Sequence, residues 1–233
     1  MIINNETELL SLFVNKDNRD PRFQEPFINI NYDGETWATD AHSLLIVNKK
    51  CLGGIYIYRE NKLRLPELGS ENCNTIITQD ALRLALKECP QEDEEISTGQ
   101  YGHCEECDGS GMVEWEYQDS KGDTHTQDFD CPLCYGTGES NKPVMKKTGR
   151  KIPDKDSVLI VDTMPVASYE MLRLLKAMEL LGIEEVRHTI TAKEKPNLFV
   201  FNDDIKIIIM PRYLRDFEIS AKVICETKKG GIQ

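Results

Sequence analysis

Two cysteine motifs in the middle of the chain constrain the fold more than any other feature. They read CEECDGSG at 104–111 and CPLCYGTG at 131–138, so each is a C-x-x-C pair followed by x-G-x-G. Each C-x-x-C turn lets two thiolates point at one cation, and the glycines permit positive φ angles that turn backbone N–H groups toward the sulfurs. Two such turns supply the four ligands of a closed, tetrahedral zinc site. We predict one structural Zn²⁺ ion held by Cys104, Cys107, Cys131 and Cys134.

The segment around these motifs, 99–152, is predicted to be an insertion that folds on its metal. Val113–Tyr117 and Thr124–Phe129 flank a turn at 120–123, which is the pattern of a β-hairpin. The flanks are polar and rich in glycine, so the metal replaces a large core. A small hairpin cannot bury three large aromatic residues, and we predict either a protein-binding surface or packing on the main body for Trp115, Tyr117 and Phe129. The simpler alternative is a structural metal site with no further role.

Composition and charge limit the class of protein. The 233 residues carry a formal net charge of −12, which disfavours unaided wrapping of nucleic acid but still permits a local basic face. No secretory signal and no membrane-spanning apolar run is seen, so no membrane partner is expected. Outside the motifs the cysteines are single (Cys51, Cys73, Cys89 and Cys225), which favours a reducing, cytoplasmic location.

The remaining sequence predicts an α+β body in two parts, 1–98 and 153–233. The first part should contain a helix at Glu6–Val14, several short strands between Phe27 and Tyr58, and a helix at Gln79–Cys89. A charge run at 91–95 is interpreted as a solvated loop. The second part should be a βαβββ unit, whose elements are a strand at Ser157–Asp162, a helix at Val166–Leu181, and strands at Glu185–Thr191, Asn197–Phe201 and Ile205–Met210.

The cysteine motifs resemble those of the cysteine-rich region of DnaJ-type co-chaperones, which is built from C-x-x-C-x-G-x-G repeats. The resemblance covers about a quarter of the chain. That family usually has four repeats and two zinc ions, whereas this sequence has two repeats, enough for one ion. The resemblance implies a zinc hairpin and a protein-contact surface. The helical J-domain with its His-Pro-Asp triplet is absent, so stimulation of an Hsp70-type ATPase is not implied.

Two other segments resemble bacterial DNA polymerase sliding clamps. DGETWATDAHSL at 33–44 is similar to the clamp pattern of a turn and strand followed by Ala-Thr-Asp-Gly-His-Arg-Leu, and FVFNDDIKIIIMP at 199–211 is similar to a strand pair that ends in Met-Pro. Ala41 stands where the family has glycine, and Ser43 where it has arginine. The resemblance implies βαβββ units with helices that face DNA. A closed ring at this chain length would require an oligomer.

Candidate DNA contacts are basic side chains on two helices and on one loop. Arg83 and Lys87 share one helix face, as do Arg173 and Lys176 on the second helix. A basic cluster at 142–155, predicted to be a flexible linker, adds Lys146, Lys147, Arg150 and Lys151. The alternative is an ordinary solvated surface.

No pattern for catalysis is found. The sequence lacks a phosphate-binding Walker motif and a dinucleotide-binding glycine motif, and we interpret Asp40 and His42 as a structural pair. We therefore expect a protein that is not an enzyme. The first hypothesis is an accessory protein of DNA metabolism that binds duplex DNA or a polymerase-type partner. The second hypothesis is an adaptor or chaperone-like module that binds another protein through the zinc hairpin.

Overall fold

The computed structural model describes residues 2–16, 18, 20–32, 34–59, 75–190, 195–212 and 219–227. The chain forms two compact units. Unit 1 consists of Met1–Gln91 and Pro153–Gln233, and unit 2 consists of Glu92–Ile152. Helices and sheets occur together, so the fold is mixed α/β.

The described residues contain four α-helices and strands of very different length. The helices are α1 (Glu6–Ser11), α2 (Pro21–Gln24), α3 (Gln79–Glu88) and α4 (Ser168–Leu181), with a 3-10 turn at Lys49–Cys51. The strands are β1 (Phe27–Asn29), β2 (Glu35–Thr39), β3 (Ser43–Asn48), β4 (Ile57–Arg59), β5 (Thr75–Thr78), β6 (Gln91–His103), β7 (Met112–Gln118), β8 (Thr124–Asp130), β9 (Glu139–Pro153), β10 (Val158–Val161), β11 (Met164–Ala167), β12 (Glu185–Ile190), β13 (Asn197–Asn202), β14 (Ile205–Ile209), β15 (Ile219–Val223) and β16 (Glu226–Thr227).

Unit 1 is built on a nine-stranded sheet in the order β16-β5-β12-β13-β14-β3-β2-β1-β4. All neighbours in this sheet are antiparallel except β1 and β4. The pairing of β14 with β3 joins distant parts of the sequence, because Ile209 lies opposite Ser43 and Ile205 opposite Val47. This pairing places the two clamp-like segments of the sequence side by side.

The centre of the main sheet is apolar on both faces. In β3, Leu45 and Val47 belong to the large core, which also contains the inner faces of α3 and α4. The intervening Ile46 belongs to a second cluster on the opposite face, with Trp37 and Ile208. Successive side chains of a strand alternate between faces, so a nearly continuous apolar run is the expected sequence of a strand covered on both sides.

The helices α3 and α4 begin and end where local chemistry dictates. The Thr78 side chain accepts a hydrogen bond from the Ala81 backbone N–H at the start of α3, and Pro90 follows its end. Gly182, with a φ of 64°, terminates α4. The predicted start of α4 at Val166 is wrong, because Val166 lies in β11 and pairs with Leu159 of β10. This extra strand and β15, parallel to β10, form a separate three-stranded sheet.

Unit 2 consists of two two-stranded sheets, β6 with β9 and β7 with β8. The hairpin β7–β8 matches the predicted strands. The predicted loop at 91–95 is wrong, since this charge run forms the start of β6, and the predicted linker at 142–155 lies mostly in β9. Both errors have one cause: exposed ribbon strands carry charges on both faces and show no apolar alternation. Unit 2 therefore begins at Glu92, earlier than the predicted insertion of 99–152.

The single cysteines that the structure describes lie in unit 1. Cys51 and Cys89 are buried, Cys225 is half-buried, and all three are free thiols. Cys73 and the turn residue Asp33 lie outside the described residues. Among the helices that the structure describes, none has the length and apolarity needed to cross a membrane.

Candidate functional site

The four motif cysteines form a compact cluster in unit 2. Their sulfur atoms all lie within 4.8 Å of one another, and all four residues are buried. The Sγ atoms of Cys104 and Cys131 are 3.8 Å apart, and those of Cys107 and Cys134 are 3.7 Å apart. Four sulfurs around a tetrahedral zinc ion at about 2.3 Å would be separated by about 3.8 Å. The cluster therefore has the size that a single tetrahedral metal ion requires.

The glycines of the two motifs shape the backbone around the sulfurs. The Gly111 N–H donates to the Cys107 sulfur over 3.2 Å, and the Gly138 N–H donates to the Cys134 sulfur over 3.3 Å. Both glycines have positive φ angles, 78° and 75°. A Cβ on Gly111 would collide with the Gly136 carbonyl oxygen, so a larger residue is excluded there. These N–H donors stabilise thiolate sulfur and orient it toward a cation.

The two motifs are related by a reciprocal exchange of backbone hydrogen bonds. The Cys104 N–H donates to the Gly138 carbonyl over 2.9 Å, and the Cys131 N–H donates to the Gly111 carbonyl over 2.8 Å. The first residue of each motif is thus hydrogen-bonded to the last residue of the other motif. The spacing of the sulfurs is a property of the pair and not of either turn alone.

The cysteines are also the core of unit 2. They form its buried cluster in the described residues, and the half-buried Val113 packs against them. Neither histidine of this unit belongs to the cluster: the His103 ring lies beside Gly109, and His125 Nε2 lies 3.2 Å from Asp119 Oδ2. A four-thiolate set leaves no open position, so the geometry suits a structural ion and not a catalytic one.

The hairpin β7–β8 presents its aromatic residues to solvent. Trp115 is 57% exposed, Tyr117 64% and Phe129 43%. The Trp115 and Phe129 rings are in contact with centroids 5.5 Å apart, and the Tyr117 ring stacks on His125 at 5.1 Å. The aromatic residues therefore form two contacting ring pairs on one exposed face of the hairpin, and exposed apolar surface of this kind is typical of binding sites.

Unit 1 contains an apolar pocket that the sequence analysis did not predict. Its cavity has a volume of about 320 Å³ and is lined by Phe23, Trp37, Thr39, Ala41, His42, Ser43, Leu44, Pro196, Ile208 and Met210. Most of these residues come from β2, β3 and the turn between them, and two come from the end of β14 and the position after it. The Met210 N–H donates to the His42 carbonyl over 2.9 Å, which fixes one segment against the other. One sequence feature could have indicated this pocket: β3 and β14 are apolar also on the face that points away from the large core, where Leu44 and Ile208 lie.

A buried ionic network supports the turn that borders this pocket. Arg173 of α4 forms ion pairs with Asp40 and, at 3.4 Å, with Glu170. Asp40 accepts the backbone N–H groups of His42 and Ser43 over 3.0 and 2.9 Å. The side chains of Asp40 and Glu170 are 7% and 3% exposed, so the arginine compensates two carboxylates that water scarcely reaches.

The ionic network separates the pKa values of its two carboxylates. Burial would raise the pKa of Asp40, but the Arg173 guanidinium and the turn N–H groups together lower it. Burial raises the pKa of Glu170 and the charge of Asp40 adds to this effect, although Arg173 opposes it. Glu170 Oε2 has no hydrogen-bond partner among the described residues. Ala41 has a φ of 81°, a conformation that favours glycine, so this turn depends on its side-chain support.

The predicted DNA contacts on the helices have different environments. Arg83 donates to Glu179 over 2.9 Å and to Asp80 over 3.1 Å, so its charge is offset on the surface. Arg173 is part of the buried network. Lys87 and Lys176 are exposed. Of the four predicted helix residues, these two lysines therefore present their charge to solvent most directly.

The basic residues of β9 face acidic residues of β6. Lys147 lies 2.8 Å and Lys151 2.5 Å from Asp93, and these two partners lower the pKa of Asp93 to about 2. Arg150 lies 2.8 Å from Glu94. Lys146 is exposed, and no ion pair to it is found in the described part of the chain. The positive charge of this segment is largely offset within unit 2, and its contact with DNA stays a prediction.

Comparison with known proteins places sliding clamps among the structural neighbours of this mixed α/β chain. No protein-family model and no curated protein matches it. The DNA polymerase III subunit beta from Pseudomonas aeruginosa aligns with 91% of this chain and 65% of its own length, at 12% identity and a TM-score of 0.40. The sliding clamp from Caulobacter crescentus aligns with 92% of this chain and 65% of its own, at 9% identity and a TM-score of 0.40. The beta clamp of H. pylori, in complex with diflunisal, aligns with 89% of this chain and 63% of its own length, at 10% identity and a TM-score of 0.41. The chain spans less than two thirds of the length of each of these clamps.

Proposed function

We propose that this chain is a non-catalytic accessory protein of DNA metabolism that binds a polymerase-type partner through unit 1 and holds one structural zinc ion in unit 2. The observation that carries the proposal is the apolar pocket of unit 1. The two segments that resemble sliding clamps in sequence line it together: 33–44 supplies the β2–β3 connection, and 199–211 supplies Ile208 and Met210.

The pocket suits binding better than chemistry. A concave, mostly apolar cavity of this size accepts one or two large apolar side chains, and its few polar groups fix their orientation. The Ser43 hydroxyl is buried and donates to Asp40 over 3.2 Å. It therefore stabilises the turn and is not placed to act as a nucleophile. An extended peptide from a partner protein, with apolar side chains that enter the cavity, is the ligand that this geometry favours.

Replacing Met210 with glutamate tests the pocket. Met210 is 47% exposed at the rim, so the substitution should leave the core intact while placing a charge where an apolar side chain would bind. We expect the affinity for a purified DNA polymerase of the same organism, measured by surface plasmon resonance, to fall at least about tenfold. Ile55→Glu is the matched control, because Ile55 is fully exposed outside the pocket. Equal binding by both variants would contradict the proposed site.

Duplex DNA is the second partner of this proposal. The exposed lysines Lys87 and Lys176 are the best placed of the predicted helix residues, whereas Arg83 is already paired with acids. We expect Lys87→Ala and Lys176→Ala each to remove one phosphate contact. Each variant should therefore lower the slope of log K for duplex binding against log salt concentration by about one. Arg83→Ala should have a smaller effect. Fluorescence anisotropy of a labelled duplex at several salt concentrations measures this, and a salt dependence that neither lysine variant changes would exclude both lysines as phosphate contacts.

A second candidate function is protein binding by unit 2. The exposed aromatic residues of β7 and β8, of which Trp115 and Phe129 are in contact, support it, since aromatic residues are enriched among the residues that contribute most to binding at interfaces. In this alternative the zinc ion holds the hairpin in shape, and unit 1 serves as a scaffold. Both candidates share the structural zinc ion and the absence of catalysis.

A further inference from the structure

The hairpin β7–β8 has two chemically different faces. Residues directly opposite each other share a face, and the pairs Val113–Phe129, Trp115–Gln127 and Tyr117–His125 define one that is largely aromatic. The alternate residues define the opposite face. That face carries four exposed carboxylates, Glu114, Glu116, Asp128 and Asp130. Val113 packs against the cysteine cluster, but the other residues of both faces are exposed, so a buried core does not explain the division along the rest of the hairpin.

The acidic face is electrostatically unfavourable by itself. Glu114 lies directly opposite Asp128, and like charges in this position destabilise a strand pair. No lysine, arginine or histidine lies within 4.0 Å of these four carboxylates among the described residues. Residues 112–130 contain a single basic side chain other than His125, Lys121 in the turn. The repulsion would be relieved by cationic groups that come from another molecule.

In the part of the chain that the structure describes, both edges of the hairpin are free, because its sheet contains β7 and β8 alone. Apart from the groups of Met112, which bond to the Ser110 hydroxyl, the outer backbone groups of each strand are available to a further strand. A strand that adds to such an edge alternates its side chains between the two faces. Its apolar side chains would meet the aromatic face while its basic side chains would meet the acidic face.

We infer that the hairpin of unit 2 docks an extended partner segment in which apolar and basic residues alternate. The inference rests on the second candidate function and specifies its partner. Charge complementarity selects this occupant, because four unpaired carboxylates repel phosphate and acidic peptides.

Four fluorescein-labelled octapeptides test the inference on the zinc-loaded full chain. One alternates valine and lysine, one valine and glutamate, and one valine and threonine, while a fourth contains four valines followed by four lysines. Anisotropy titrations give the affinities. We expect the alternating valine–lysine peptide to bind at least about tenfold more tightly than the other three. Glu116→Lys and Trp115→Ala should each weaken it by about tenfold or more, whereas Asp203→Lys, an equal charge change on a turn of unit 1, should change it by less than about twofold.

The other outcomes separate this inference from the function on which it rests. Equal binding of the valine–threonine peptide would overturn the cationic preference and leave the hairpin as a docking surface. Equal binding of the block peptide would show simple charge attraction and overturn docking by strand addition. Tighter binding of the valine–glutamate peptide would overturn the assigned charge. Absence of binding by all four, with zinc content and protease resistance intact, would overturn both the inference and the docking function of the hairpin.

Discussion

Replacement of Cys107 by serine is expected to abolish stoichiometric zinc binding and to unfold unit 2, while unit 1 keeps its structure. The cysteines are the buried cluster of unit 2, so the proposed zinc ion would supply most of the energy that a hydrophobic core supplies elsewhere. Structural zinc sites in small peptides contribute apparent binding energies of about 10–16 kcal/mol, which is folding energy for a unit without another core. Atomic absorption should give about one zinc per wild-type chain and almost none for the variant.

The fate of each unit can be followed separately. Limited proteolysis of Cys107→Ser should cut within 92–152 and spare the remainder, because unit 1 has its own large core. Cys225→Ser is the matched control: Cys225 is a half-buried free thiol of unit 1, and its loss should leave the zinc content unchanged. A Cys107→Ser protein in which 92–152 stays resistant to protease would disprove the metal-dependent folding of unit 2.

Replacement of Arg173 by methionine should destabilise unit 1 by about 3–5 kcal/mol, because it leaves two buried carboxylates without their cation. Methionine retains much of the packing volume, so the loss reports mainly on charge. Urea denaturation followed by circular dichroism measures the free energy of unfolding. Arg83→Met is the control, since an exposed arginine with surface ion pairs contributes about 0–1 kcal/mol. When Asp40→Asn and Glu170→Gln are added to the Arg173→Met variant, no buried carboxylate is left without a cation. The triple variant should therefore regain much of the lost free energy of unfolding.

The cost of Arg173→Met should also depend on pH. In the wild type, the lowered pKa of Asp40 contributes stability above its unfolded pKa of about 3.9, which is lost as the pH falls through the folded value. The raised pKa of Glu170 has the opposite sign: its contribution is present below the unfolded value and is lost as the pH rises. Without Arg173 both carboxylates should bind protons more readily. The difference in unfolding free energy between variant and wild type should therefore shrink between about pH 7.5 and pH 5. A constant difference would argue against a charge-based role for Arg173.

The features that the sequence predicted well have strong local causes. The strands β7 and β8 flank the turn residues at 120–123, and α3 follows its cap Thr78 and ends before Pro90. The cysteine spacing determines where four sulfurs can meet. The charges at 91–95 were misleading, because in an exposed ribbon the ion pairs between β6 and β9 replace apolar periodicity. The start of α4 was placed too early because Val166 and Ala167 fit both a helix and a strand, and pairing with β10 decides between them.

The pocket and the buried network could not be read from the sequence in the same way. The pocket depends on the long-range pairing of β14 with β3, which brings Met210 to His42. The network depends on the contact of α4 with the turn after β2. Asp40 and Arg173 are 133 positions apart, and neither residue is unusual in its own surroundings. Arg173 looked like one member of a basic helix face together with Lys176, and only the packing of α4 shows that one cation is enclosed while the other is exposed.

The reciprocal contacts between the cysteine motifs have a consequence for how unit 2 can vary. A side chain on Gly138 would strike the Gly109 carbonyl of the other motif, just as one on Gly111 would strike Gly136. Neither motif can change its backbone without displacing the sulfurs of its counterpart, so the two must be inherited as a matched pair. The chain segment between the two motifs begins and ends at their paired backbones, and it contributes no cysteine to the cluster. We therefore expect that the hairpin can be lengthened, shortened or exchanged while the two motifs keep their geometry, so that its sequence can diverge independently of the folding of unit 2.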